Sequence, residues 1–140
     1  MKQILPLLLC FVAIVGYVQS EEHPIDVRNN ACHDIDSNQT TYGMMQCEAV
    51  AREEWFIEIN NYYNLLLDTL SESADSLLKA SQEAWIEYNL KEKSFSSSLY
   101  YSEMDGTMWR VVNAGRMKDI VRKRALELKE YYETFTYVGM

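Results

Sequence analysis

The side chains able to do chemistry are few, and their spacing decides what they are for. Glu53, Glu54 and Glu58 would suit the paired acid and base of glycoside hydrolysis. They fall on a segment that reads as a helix, where such a run forms a solvated face. His23 and His33 both lie in a polar N-terminal stretch, more often a solvated position than a catalytic one, and the thiols that remain are expected to be oxidised. No Gly-rich phosphate loop, nucleophile elbow or repeated Cys/His ligand pair occurs. The expectation is therefore no enzyme, no cofactor and no metal. The stretch KDIVRKRALELK, Lys118 to Lys129, is basic, but its acids and apolar stripe make it an ordinary helix face rather than a nucleic-acid site.

The polar residues that interrupt apolar stripes raise a different question. Asn60 and Tyr63 do so in INNYYNLLLDTL, Gln82 and Trp85 in LLKASQEAWIEYN, and Arg124 in the last third. Polar groups at a core edge need hydrogen-bond partners. Asn60, Gln82 and Arg124 are expected to satisfy one another or backbone carbonyls, with Trp85 as a core anchor. The competing reading is a ligand site.

Compartment and covalent chemistry follow from the N-terminus. MKQILPLLLCFVAIVGYVQSEEHP has a basic start, an apolar run too short to span a bilayer, and Val18 and Ser20 before Glu21. It reads as a signal peptide cleaved near Ser20-Glu21, which places the chain in the periplasm or outside the cell, with no stable membrane insertion after cleavage. The remaining 120 residues carry 12 basic against 21 acidic side chains, a net charge of −9. That disfavours nucleic acid and favours a cationic partner or simple solubility. Two cysteines stay, Cys32 and Cys47. In an exported chain they most simply form a disulfide; a metal site with His33 and Asp34 would lack paired ligands. The closed loop of about 16 residues is worth ~3 kcal/mol.

The elements that must hold these residues are helices. Residues 21–43, with Pro24, Asn29-Asn30 and Asp34, read as an arm and loop. Phe56, Ile59, Tyr63, Leu66 and Leu70 repeat at three and four, widened by Val50, Trp55 and Leu67, and predict a helix over 44–70. Ser73 caps a second helix over 74–93, with Leu77, Leu78, Ser81, Ala84, Trp85 and Tyr88 on its inner face. SFSSSLYYSEMDGT is a loop signal, in which Leu99, Tyr100, Tyr101 and Met104 pack down. A third helix covers 108–132, with Trp109, Val112, Ala114, Met117, Ile120, Val121, Arg124, Leu128 and Tyr131 inward and Lys118, Arg122, Lys123, Glu127 and Glu130 outward. The expected fold is all-α, an antiparallel three-helix bundle with a disulfide-tied N-terminal arm.

The order Cys32, Gln39-Thr40, Cys47, Ile59-Asn60-x-x-Tyr63, Ser81-Gln82-x-x-Trp85, Tyr88, and Arg124 with Leu128 resembles the lysozyme-inhibitor LprI-like family of exported bacterial proteins, over about 32–132. The resemblance marks Asn60, Tyr63, Gln82, Trp85, Arg124 and Leu128 as signature residues, structural or binding. It implies a second disulfide in the family that this chain lacks: Asn89, Leu90 and Lys93 fill the first cysteine segment, and Arg116 falls near the second. A looser junction between the second and third helices follows. The resemblance also implies a protein partner, a cationic lysozyme, and inhibition of a muramidase. The alternative is an envelope interaction module with no lysozyme-related role, favoured by ten tyrosines.

Overall fold

A computed structural model describes residues 22–138; the expected signal peptide and its cleavage point lie outside the described residues. The chain is all-helical, with four α-helices among the described residues rather than the three expected: α1 Pro24–His33, α2 Thr41–Thr69, α3 Glu72–Ser98 and α4 Met108–Val138. A 3-10 turn, Asp36–Asn38, joins α1 to α2, and a π turn, Leu99–Glu103, follows α3.

The additional helix corrects the expected arm. Pro24 marks a helix start rather than a loop, because proline at the first position loses no needed amide and presets φ. His23 Nδ1 caps the Ile25 amide, and Asp26 sits in the first turn against the helix dipole. Thr40 caps α2 through the Gly43 amide at 3.0 Å, so α2 begins at Thr41. Ser71, not Ser73, precedes α3.

The serine run does not break α3, which continues five residues beyond the expected end. Ser94 and Ser96 donate to the carbonyls of Leu90 and Lys93, one turn back, and so remain satisfied within the helix. Thr136 does the same to Tyr132, and α4 extends past the expected end at Tyr132. Asp105-Gly106 is the turn foreseen, with Gly106 at φ 101.

The core lies between α2 and α4. Ala51, Trp55, Ile59 and Leu66 of α2 meet Val121, Ala125 and Leu128 of α4, with Ile25 of α1 closing one side. Contacts advance together along the pair: Thr41 with Thr107, Glu48 with Lys118, Trp55 with Arg122, Tyr62 with Tyr132. The two helices therefore run in the same sense. Along α3 and α4 the order reverses, from Gln82 with Arg124 to Ser97 with Asn113.

Candidate functional site

Arg124 is the centre of the polar contact between α3 and α4. It is buried, and its guanidinium is held on three sides. Nε donates to Gln82 Oε1 at 3.1 Å, one Nη to Ser81 Oγ at 3.2 Å, and the other to Glu127 Oε2 at 2.7 Å. A buried guanidinium needs such partners, because its charge has left water. The expected Gln82–Arg124 link is present. Asn60 takes no part: it is exposed and makes no side-chain hydrogen bond among the described residues. Its position follows directly after Ile59, the core contact of that turn, so the next residue is rotated away by about 100°.

The other signature residues divide. Leu128 is fully buried in the α2–α4 core. Tyr63 is half-buried against the same core. Trp85 is also half-buried and meets Phe56 edge to face at 6.2 Å. It is therefore not the core anchor expected. That place belongs to Trp55, 1% exposed, whose ring has His23 at 4.3 Å and the Arg122 guanidinium at 5.5 Å. Burial lowers the pKa of His23.

Trp85 and Arg124, with Tyr88, Ile120, Lys123 and Glu127, line a groove of about 300 Å³ between α3 and α4. Tyr88, expected inward, is half exposed in it. Leu77, Trp109, Val112 and Tyr131, also expected inward, are exposed too, as is Val50 on α2. Near the place where the resemblance implies a second disulfide, Arg116 Nε reaches Glu92 at 3.2 Å and Asn113 donates to Ser97 at 3.5 Å. An ion pair and a hydrogen bond stand there instead of a covalent link.

The disulfide Cys32–Cys47 is formed, with Cα atoms 5.7 Å apart. Beside it lies a buried charged cluster that the sequence reading missed. Glu48 accepts from His33 Nε2 at 2.8 Å and pairs with Lys118 Nζ at 3.0 Å. In the amide orientation that satisfies both neighbours, Asn29 donates to the Cys47 carbonyl and accepts from Lys118, each at 3.1 Å. Burial works against the Lys118 charge, but the hydrogen bond and charge of Glu48 prevail and raise its pKa. Arg122 forks onto Asp26 at 2.7 to 2.9 Å, which raises its pKa as well. Lys118 and Arg122, expected outward, face α1. Nothing signalled this once residues 24–33 were read as a loop; the proline-then-acid helix start was the available clue. Asn38, formally a glycosylation acceptor, turns its amide inward to the Cys32 carbonyl at 3.0 Å.

None of these clusters joins a nucleophile to a base, and no group of metal-ligating side chains forms among the described residues. No described helix is long and apolar enough to cross a membrane. Comparison with protein families matches residues 32–128 to the family described as lysozyme inhibitor LprI. The chain belongs to that family. It is an inhibitor family by its description, which implies a protein partner at the level of the family. No curated protein matches the chain. Among solved structures, it is similar to the crystal structure of an uncharacterized protein from Burkholderia thailandensis, with 29% identity, a TM-score of 0.74 and 79% of this chain covered. The chain spans about half of that protein, 54% of its length.

Proposed function

We propose that this chain is an exported bacterial binding protein that inhibits a lysozyme-type muramidase. Membership of the LprI family over residues 32–128 carries the reading. The net charge of −9 expected after signal cleavage supports it, since lysozymes are often strongly cationic and opposite charge speeds encounter. In this reading residues 1–20 are removed at Ser20-Glu21, and the rest acts in the periplasm or outside the cell. It acts as one helical domain, about 32–132, with α3 antiparallel to α2 and α4. It has no catalytic role: it blocks substrate rather than converting it. The signature residues Gln82, Trp85 and Arg124 serve the α3–α4 junction, and no inhibitory role is assigned to them.

The test is a cell-wall lysis assay with residues 21–140 added to c-type, g-type and bacterial muramidases. Dose-dependent slowing is expected for at least one type. Unchanged lysis at micromolar excess over all of them would overturn the reading.

A second reading, an envelope interaction module, is favoured by the outward face of α3, where Leu77, Leu90 and Phe95 are exposed. Reproducible capture of one envelope protein, together with no effect on lysis, would prefer it.

A further inference from the structure

One end of the molecule is assembled from four separate segments. The Thr41 and Thr107 hydroxyls lie 3.3 Å apart, so α2 and α4 both begin there. The backbone of Asn38 packs so closely on Gly43 that a Cβ at 43 would meet it at 2.5 Å; this brings Ile35–Asn38 to the same end. The π turn completes it. Tyr100 stacks on Trp109 at 6.1 Å, and the Arg110 guanidinium lies 5.9 Å from the Tyr101 ring.

Ile35, Tyr42, Tyr101, Met108 and Trp109 are all exposed at this end, Tyr42 by 73%. Aromatic and methionine side chains of this kind are enriched at the centres of protein interfaces. Around them stand Asp34, Asp36, Glu103 and Asp105, which make no ion pair among the described residues. Arg110 is the single Lys or Arg contributed by residues 34–42 and 99–110. On α3, Lys79 and Lys91 pair with Asp75 and Glu87, and among the described residues only Glu72 and Glu83 are left without an ion pair, half as many carboxylates as at this end.

We propose that this end is the surface that docks on a strongly cationic protein, with the apolar cluster seated against the partner and the four carboxylates steering and orienting the approach. The inference rests on the muramidase reading above, and names the surface that would cover the cleft.

The experiment measures binding to a c-type lysozyme by calorimetry and, in parallel, inhibition of cell-wall lysis, using residues 21–140. Three exposed-site variants are compared with the parent: D34N/D36N/E103Q/D105N at this end, Y42A/Y101A at this end, and D68N/E72Q/E83Q/E130Q elsewhere, with the same charge change as the first. Thermal melts establish that each is folded. The two end variants are expected to lose tenfold or more in affinity, and the control less than threefold. End variants that bind like the parent, or a control that falls equally, would overturn the proposal. If the parent binds through this end but lysis proceeds unchanged, the docking surface stands and the inhibitor reading falls. If all variants inhibit equally, the inhibitor reading stands and the surface falls. A parent that binds neither this lysozyme nor g-type and bacterial muramidases overturns both.

Discussion

α1 and α3 close the α2–α4 pair by different means. α1 is only ten residues long, yet it is tied by the Cys32–Cys47 disulfide, the Asp26–Arg122 fork, the Asn29–Lys118–Glu48–His33 cluster and the His23–Trp55 contact. α3 is 27 residues long and buries only Gln82 and Ser96. A short helix cannot supply enough apolar area of its own, so covalent and charged links fix it. A long one can be held at a few points, and its remaining apolar side chains stay available. The stability of the fold should therefore be concentrated beneath α1, and tolerance to change on α3.

Five measurements bear on that contrast. Trp55→Ala should be the most damaging, at about 3–5 kcal/mol in chemical denaturation, because it empties the centre of the core. Trp85→Ala should cost clearly less, about 1–3 kcal/mol, since that side chain is only partly buried at the edge of the core; equal costs would erase the distinction. Replacing both Cys32 and Cys47 by Ala should remove about 3 kcal/mol. Gly43→Ala should follow, at about 1–3 kcal/mol, because the obstacle is Asn38 backbone rather than a flexible side chain. Leu77→Ser or Phe95→Ser on α3 should change stability by no more than about 0.5 kcal/mol; a large loss in either would mean that α3 is covered in the native assembly.

The smallest effect is a pH dependence. Burial lowers the pKa of His23 in the folded chain. Its contribution is present above the ordinary histidine value of 6.5 and is lost as pH falls through the lowered folded value. The melting temperature should therefore drop below about pH 6.5 by more in the parent than in His23→Phe. Identical pH profiles would remove His23 from the account.

What the sequence made legible follows the strength of the local signals. The cysteine pair, the long helical stripes and the Gln82–Arg124 link were readable, because periodicity and the demand of buried polar groups for partners are local rules. Asn60 and Trp85 were misplaced for a geometric reason. A stripe fixes which face is inward, but not which of two adjacent residues lies at its centre, and one residue of helix turns a side chain by about 100°. Trp55, expected only to widen the inner stripe of its helix, is the core anchor, and Trp85 is half-buried. The Glu48 cluster was invisible because its members come from α1, α2 and α4, and one of those helices was read as a loop. The serines at 94–98 misled because their hydroxyls can bond either a turn or a preceding helical carbonyl.

The shared direction of α2 and α4 has a kinetic consequence. Thr41 and Thr107 touch at the start of both helices although 66 residues separate them. Two neighbours pointing the same way need a connection that travels back the full distance, and α3, at 1.5 Å per residue, reaches about 40 Å. The principal interface is thus made of distant contacts in an otherwise helical chain, which raises contact order and slows folding relative to a simple hairpin of helices. α3 acts as a measuring rod. One residue inserted between Gln82 and Ser97 would turn these two contacts with Arg124 and Asn113 about 100° apart, so the length of α3 is constrained even where its side chains are free.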